Sequence, residues 1–264
     1  ASLESRLGVR LIQRSTRQFH VTEIGQIFYR HCKAMVVEAE AAERSIAVAH
    51  GEPCGTVRVS CPVTLLHVEV GQMMAEFMAR CPQVMLQLEA TNRRVDVLNE
   101  GIDLAIRVRS RPLEDSGLAH RVLSERRQCL VASPAMIEAL GQPTNPADLR
   151  AWPCLGFGGP EQSFRWALTG PDGASFTQQF EPRYITRDLP ALQTAARAGV
   201  GVVQLPLLMV RADLENGTLV QLLPGWQPLP EAVHIVFPSR RGLLPAVRAL
   251  IEHLADAYRA LGER

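Results

Sequence analysis

The chain has 264 residues, of which 47% are hydrophobic and 21% are charged, and its formal net charge at pH 7 is +1. This is ordinary globular composition, so a disordered chain, a collagen-like repeat and a small disulfide scaffold are excluded. The near-neutral total also excludes a strongly cationic nucleic-acid coat, although a local basic patch is still allowed. The length favours two domains or one large domain.

No segment fits a membrane span, a signal peptide or a zinc site. The apolar runs fall short of the roughly 18–20 residues that a membrane helix needs, and the N-terminus has no basic region followed by an apolar core. The six cysteines form no C-x-x-C pair and have no histidine at zinc-finger spacing. We therefore expect a cytoplasmic chain with reduced thiols, no metal ion and no contact with a membrane.

The first 21 residues form a short basic segment. Leucines at every fourth position indicate one helical face, and Gly8 suits the end of that helix. Two short apolar runs around a polar turn then predict a β-hairpin. The segment carries one acidic residue, Glu4, against four arginines, which are Arg6, Arg10, Arg14 and Arg17.

Residues 22–50 are predicted to form one long helix. Apolar and small residues recur at alternating spacings of three and four, which is the pattern of a heptad seam. The seam indicates pairing with the same helix of a second copy. The alternative, a helix lying on its own domain, is less favoured because no neighbouring segment offers a partner face. The seam residues are Phe28, Cys32, Met35, Ala39, Ala42 and Ile46.

From residue 54 onward, strands and helices alternate, which predicts an α/β fold with mainly parallel sheets and right-handed crossovers. Two similar series of elements indicate two lobes, and the cleft between such lobes is the expected small-molecule site. Strands are predicted at residues 56–61, 84–89, 102–106, 129–132, 154–157, 176–184, 200–203 and 233–237, and helices at 65–80, 95–100, 135–140, 189–198, 207–216 and from Pro245 onward.

The stretch from Leu3 to Arg17, followed by Thr22-Glu23-Ile24-Gly25, resembles the winged helix-turn-helix of LysR-type transcriptional regulators. That family shows LE-x-x-LG-x-x-LF-x-R, a short wing and then LTE-x-G, and Ile12 stands here where Phe is usual. The resemblance extends over residues 1–258. Further matches occur in order at Arg93–Asp96, Gly101–Arg107, Ala132–Pro134, Ala198–Val202, Leu205–Pro206 and Phe237–Arg240.

The resemblance implies a DNA-binding transcriptional regulator with a periplasmic-binding-protein-like effector domain. Its strands are expected to cross between the lobes near Gln128–Cys129 and Val233–His234. In the family, further helices precede the position of Leu3, so we expect a truncated or partly observed regulator. The implied domains are a partial winged helix-turn-helix over 1–21, a linker and dimerisation helix over 22–50, effector subdomain I over 54–126 and 232–264, and effector subdomain II over 127–231.

The resemblance also implies the partners. The wing arginines, Arg14 and Arg17, are expected to contact the phosphates of double-stranded DNA. Arg6 and Arg10 are assigned to DNA as well, with solvated surface cations as an equal alternative. The protein is expected to form a homodimer that pairs into a tetramer, and to bind a small effector, either an organic acid or an aromatic molecule.

The effector site is assigned by position at the end of the first predicted strand. Cys61, Pro62, Val63 and Thr64 lead into a helix whose free N–H groups, with the Thr64 hydroxyl, can hold an anion. Cys61 is also a candidate redox thiol, because a helix N-terminus lowers a thiol pKa; the alternative is a small residue required by packing.

Six further residues complete the predicted site. Ile106 and Arg107 end the third strand at the same rim, and Arg107 can bind a carboxylate or pair with Asp103 or Asp115. On the second lobe, four residues are expected to face the cleft, although Phe157 can equally be core and Asp188 a helix cap. They are Phe157, Gly158, Asp188 and Val202.

Enzymatic motifs are missing from the sequence. It contains no G-x-S-x-G elbow, no phosphate-binding G-x-x-x-x-G-K-[ST] loop and no H-x-x-x-H pair. We therefore expect a regulator without enzymatic activity or a cofactor. The alternative function is a stand-alone two-lobed binding protein, which has no use for residues 1–50.

Overall fold

The computed structural model describes residues 2–14, 19–32, 34–35, 53–110, 118–238 and 243–262. Among the described helices, none combines the length and apolar character of a membrane span. Several residues named above lie outside the described part: Arg17, Ala39, Ala42, Ile46 and Asp115.

Strands and helices both occur along the whole described chain, and in several places two or more strands follow one another without an α-helix between them. In chain order the strands are β1 Ile12–Arg14, β2 Phe19–Val21, β3 Gly55–Cys61, β4 Val84–Ala90, β5 Leu104–Ser110, β6 Ala119–Arg126, β7 Gln128–Ala132, β8 Cys154–Phe157, β9 Phe164–Thr169, β10 Ser175–Phe180, β11 Pro182–Thr186, β12 Val203–Pro206, β13 Val220–Leu222, β14 Gln227–Pro228 and β15 Glu231–Phe237. The helices are α1 Ser2–Leu7, α2 over residues 23–32 and 34–35, α3 (Val63–Leu65, a π-helical turn Leu66–Val70, and Gly71–Arg80), α4 Val97–Glu100, α5 Pro134–Leu140, α6 Leu189–Arg197, α7 Leu207–Asn216 and α8 Pro245–Gly262, with 3₁₀ turns at Pro146–Ala151 and Pro171–Gly173.

The N-terminal segment is tied together by short polar contacts. The Glu4 carboxylate on α1 accepts the N–H groups of Leu11 (2.9 Å) and Ile12 (3.1 Å) at the start of the β1–β2 hairpin. Thr22 begins α2 as the sequence predicts, since its Oγ1 accepts the Gly25 N–H at 3.0 Å. A Cβ at Gly25 would lie 2.1 Å from the Leu11 carbonyl oxygen, so only glycine lets α2 approach the hairpin this closely.

One five-stranded sheet forms what we call the first lobe, together with α3, α4 and α8. The strand order is β4-β3-β5-β15-β6. The predicted parallel arrangement is found in the pairs of β3 with β4 and with β5, and β15 adds antiparallel to both β5 and β6. Helices α3 and α8 cover one face with side chains such as Phe77 and Leu254, and Val95 and Ile102 belong to a second apolar cluster with Val236 of β15.

Residues 128–228 form the second lobe. Its strands make three small groups, with the orders β12-β7-β13, β11-β8 and β10-β9-β14. β8 and β11 are parallel, and the other pairs are antiparallel. Two apolar clusters fill this lobe, one around Trp152 and Trp166 and one around Leu155 and Leu192. Both lobes therefore have a core of their own.

The chain crosses between the lobes twice. The first crossing lies between Arg126 and Gln128, where the sequence analysis places it, and the second lies between Pro228 and Glu231. Val233–His234, near which the second crossing is predicted, lie within β15 just beyond that crossing and are paired on both sides.

Several strands differ from the prediction for identifiable reasons. β6 and β9 were not predicted. In β6 the alternation of polar and apolar residues is broken, because Arg121 is half-buried whereas Val122 is exposed, and in β9 only Trp166 and Leu168 are buried. The single strand expected over residues 176–184 is two strands, since strand geometry is interrupted at Glu181, directly before Pro182. The strand expected at 200–203 begins only at Val203, after a turn in which Gly199 has a positive φ of 73°.

Candidate effector cleft

A cavity of about 160 Å³ lies between the two lobes. Its first-lobe wall comes from segments that follow β3 and β4 and from the end of β5, because the carboxyl ends of parallel strands meet at one edge of a sheet. The hinge contributes Arg126 and Glu231, and the second lobe contributes Phe157, Leu189 and Pro206. The remaining lining residues are Ser60, Pro62, Thr64, Leu65, Thr91, Asn92, Arg93, Arg94, Val95, Ile106, Arg107, Val108 and Arg109.

A larger chamber of about 620 Å³ continues into the second lobe. The two cavities share Phe157, Leu189, Pro206 and Glu231. Aromatic rings line the larger chamber: the ring centroids of Trp166 and Phe180 are 4.4 Å apart, and those of Phe164 and Phe180 are 6.0 Å apart. Amide side chains add polar contacts at its wall, from Gln128, Gln162 and Gln204.

The cavity between the lobes is lined by five arginines and one carboxylate, Glu231. Arg93 is held by Glu100 and Glu89, whose carboxylates raise its pKa. Arg107 donates from Nη2 to the Val95 carbonyl oxygen at 2.9 Å, which fixes the direction of its guanidinium. Arginines therefore outnumber carboxylates among the residues that line the cavity, and Arg93 is paired with carboxylates outside this lining.

A buried charge cluster lies at the hinge. Arg126, with 12% of its side chain exposed, pairs with Glu69, with 5% exposed, in the π-helical turn of α3. Gln128 donates from Nε2 to Glu231 at 2.9 Å. Burial raises the pKa of Glu231, while the positive charges of Arg126 and Arg109 oppose that rise. The floor of the cleft thus contains buried charged side chains, those of Arg126, Glu69 and Glu231.

Five of the predicted effector residues line the cavity: Pro62, Thr64, Ile106, Arg107 and Phe157. Phe157 is 50% exposed, so it is not a core residue. The Val63 N–H, expected to be free for a ligand, is instead bonded to Asn92 Oδ1 at 3.1 Å.

Cys61 requires a correction. Its side chain is fully buried in the first-lobe core, and burial raises the pKa of the thiol to about 12. The expected lowering by the α3 N-terminus is therefore wrong, because desolvation of the thiolate dominates. Cys61 neither lines the cavity nor has the acidity of a redox-sensing thiol.

Three predicted residues of the second lobe do not line the cavity. Val202 is fully buried beside β8. Asp188 caps α6, accepting the Ala191 N–H at 2.7 Å, which was its alternative interpretation. Gly158 donates its N–H to the Thr186 carbonyl oxygen at 2.9 Å, and a Cβ there would lie 1.9 Å from Gln162 Oε1.

Four residues that line the cavity were not predicted from the sequence: Asn92, Arg109, Arg126 and Glu231. Arg126 and Glu231 lie at the two crossings, so their positions follow only once the hinge is known. Asn92 directly precedes the Arg93–Asp96 match, but nothing in that motif assigns it a contact.

The N-terminal segment presents its charge and its apolar face to the surroundings. Arg6 and Arg10 are exposed, and Arg14 ends β1. On α2, Phe28 and Cys32 are half-buried and Met35 is 71% exposed.

Comparisons with known proteins agree with this architecture. The family model of the LysR substrate binding domain matches residues 50–259. An HTH-type transcriptional regulator of Xanthomonas campestris pv. campestris (strain 8004) is 31% identical over 96% of this chain and 74% of its own length. The HTH-type transcriptional activator AaeR of Escherichia coli (strain K12) is 29% identical over 100% of this chain and 84% of its own length.

A solved structure extends the agreement beyond the effector-binding domain. The full-length Vibrio cholerae virulence activator AphB, a member of the LTTR protein family, has a TM-score of 0.69 and 26% sequence identity, covering 97% of this chain and 87% of that chain. The likeness therefore includes the N-terminal segment as well as the two lobes. This chain belongs to the family of LysR-type transcriptional regulators, with a DNA-binding segment joined to an effector-binding domain.

Proposed function

We propose that this regulator responds to a small organic anion bound between its lobes. The observation that carries the proposal is the cavity lined by five arginines against one carboxylate. A guanidinium in a partly desolvated cleft binds a carboxylate with two parallel hydrogen bonds, which makes Arg107 the main candidate contact. Thr64 and Phe157, on opposite walls, complete the proposed contact set.

The aromatic chamber favours a ligand with a ring. Phe164, Trp166 and Phe180 line the chamber next to the arginine-lined cavity, together with polar residues such as Glu161 and Arg165, and the two spaces share Phe157 and Glu231. A carboxylate held by the first lobe can therefore extend a planar group toward the second lobe. An aromatic acid can occupy both the cavity between the lobes and the aromatic chamber, whereas an aliphatic acid occupies only the cavity between the lobes.

The proposed response is a rotation of one lobe against the other. The effector subdomains meet at the two crossings, 126–128 and 228–231, and a two-stranded connection permits hinge motion. We assign the DNA contacts to Arg6, Arg10, Arg14 and Arg17 and the pairing of two copies to α2, with dimers associating further into tetramers. We place the protein in the cytoplasm as a regulator, not an enzyme, because the relatives are named as transcriptional regulators.

Titration with matched ligands tests the site. Sodium benzoate, sodium phenylacetate and sodium succinate are compared with uncharged benzamide by isothermal calorimetry. We expect at least one acid to bind and benzamide not to bind, because the guanidiniums recognise the charge. Arg107→Gln should weaken acid binding at least tenfold, as expected for the loss of a hydrogen bond to a charged group, about 1.5–3 kcal/mol.

The control is Arg121→Gln, which removes an arginine of β6 that pairs with Glu252 instead of lining the cavity. This variant should bind the acid as the parent chain does. Equal weakening in both variants, or binding of benzamide as tight as that of benzoate, would contradict the proposed recognition of an anion by the cleft.

A further inference from the structure

Asn92 connects the two lobes through both ends of its carboxamide. It lies in the loop after β4, and its Oδ1 accepts the Val63 N–H of the first lobe at 3.1 Å. Its Nδ2 donates to the Arg187 carbonyl oxygen of the second lobe at 2.8 Å. The same side chain lines the cavity between the lobes, so this hydrogen bond spans the cleft.

Asn92 lies far from the hinge, so this bond is sensitive to rotation of one lobe against the other. In the order β4-β3-β5-β15-β6, Asn92 follows the strand at one edge, whereas the chain crosses to the second lobe at the ends of β6 and β15. Three to four strand spacings separate the two places, about 14–19 Å. A rotation about the crossings therefore displaces Arg187 from Asn92 by more than it displaces groups near the hinge.

The acceptor in the second lobe is held in place by its neighbours. Arg187 lies between Thr186, whose carbonyl oxygen accepts the Gly158 N–H at 2.9 Å, and Asp188, whose N–H donates to Thr186 Oγ1 at 3.2 Å. Asp188 in turn caps α6. Because these bonds fix the Arg187 carbonyl to the second-lobe body, its contact with Asn92 reports the distance between the lobes.

We propose that Asn92 is a positioning residue for the cleft, a clasp that holds the lobes together on the side away from the hinge. The clasp opens when the lobes separate, and it re-forms when they close over the cavity. This inference rests on the proposed function, since it concerns how that cleft opens to a ligand. It does not require that Asn92 touch the ligand.

Two substitutions distinguish the two hydrogen bonds of the Asn92 carboxamide. Asn92→Asp keeps an oxygen for the Val63 N–H but has no donor for the Arg187 carbonyl, and Asn92→Ala removes both contacts. Asn99→Ala is the matched control, because Asn99 is also an exposed asparagine of the first lobe and its Nδ2 donates within that lobe, to Asp96 at 2.7 Å.

Amide hydrogen exchange of the full chain without ligand measures the clasp. Asn92→Asp should speed exchange about two- to twelvefold in peptides covering residues 184–192, as expected for one net hydrogen bond of about 0.5–1.5 kcal/mol. Peptides covering residues 60–66 should keep their rate in Asn92→Asp and exchange faster in Asn92→Ala. Asn99→Ala should leave both segments unchanged.

Two results would overturn the proposal. One is an unchanged rate in residues 184–192 for Asn92→Asp; the other is a uniform increase over all peptides, which would make Asn92 a general stabiliser of the fold. Because the measurement uses no ligand, a failed clasp leaves the anion site standing, and a failed calorimetric titration leaves the clasp measurable.

Discussion

The thiol of Cys61 lies where β3 ends and α3 begins, yet its side chain is fully buried in the first-lobe core. A helix N-terminus stabilises a thiolate only where the charge keeps enough solvation, and burial raises the pKa of this thiol to about 12. Sequence position therefore identified the right loop but gave the wrong chemistry for this residue. The residues beside it, Pro62 and Thr64, do reach the cavity.

The buried pair of Arg126 and Glu69 leads to a stability prediction. Arg126→Met removes the positive partner and leaves a carboxylate that is 5% exposed, which should lower the free energy of unfolding by about 3–5 kcal/mol. Adding Glu69→Leu removes the unpaired charge and should restore most of that loss. Urea unfolding of the single and double variants measures both effects.

A matched surface pair provides the control for this prediction. Arg121 and Glu252 form a partly exposed ion pair at 2.7 Å, so Arg121→Met should cost no more than about 1 kcal/mol. If Arg126→Met unfolds at the same urea concentration as Arg121→Met, the hinge pair does not hold the cleft floor as we describe.

Helix α2 carries part of the seam to which we assign the pairing of two copies. Met35, 71% exposed, continues the seam that begins with the half-buried Phe28 and Cys32. Burying a methionine side chain contributes about 1.5–3 kcal/mol, so Met35→Glu should weaken self-association at least tenfold in sedimentation equilibrium. Gln26→Glu adds the same charge off the seam and should leave association unchanged. Equal association of the two variants would argue against pairing through this seam.

The elements also show how far sequence patterns reach. The alternation of β3 and the length of α3 followed from periodicity, because both bury one continuous apolar face. β6 was not predicted because its half-buried Arg121 and exposed Val122 break the alternation, and its pairing with β15 is a contact between distant parts of the chain.

Much of the candidate site depends on such distant contacts. Pro62 and Thr64 were predictable because they follow a parallel strand at one edge of a sheet. Ile106 and Arg107 were placed at the same rim because the third strand was expected to end there, although β5 continues to Ser110. Asn92, Arg126 and Glu231 were not predictable, since each acquires its role from a partner at least 29 residues away, such as Val63 for Asn92 and Glu69 for Arg126. A pattern of neighbouring residues cannot show which distant residue becomes the partner.

On the scale of the whole molecule, charge is divided between the N-terminal segment and the lobes. The first twenty residues carry a formal charge of +3, whereas the whole chain carries +1. The arginines of the cleft line a small internal cavity, while Arg6 and Arg10 are exposed on the N-terminal segment. Two copies paired along α2 would bring two such basic segments to one duplex, which is the arrangement expected for neighbouring half-sites.

This division of charge predicts how DNA binding depends on salt. Each arginine that contacts a phosphate releases about 0.9 counterion, so Arg6→Ala or Arg10→Ala should each reduce the slope of log K against log salt by about 0.9. Fluorescence anisotropy with a labelled duplex at several salt concentrations measures the slope, and both variants should lose affinity equally for unrelated duplex sequences, because phosphates carry no sequence information. Arg121→Ala removes an arginine of the first lobe and should leave the slope as it is in the parent chain. Should all three variants share the parent slope, the exposed arginines of the N-terminal segment do not contact the DNA backbone.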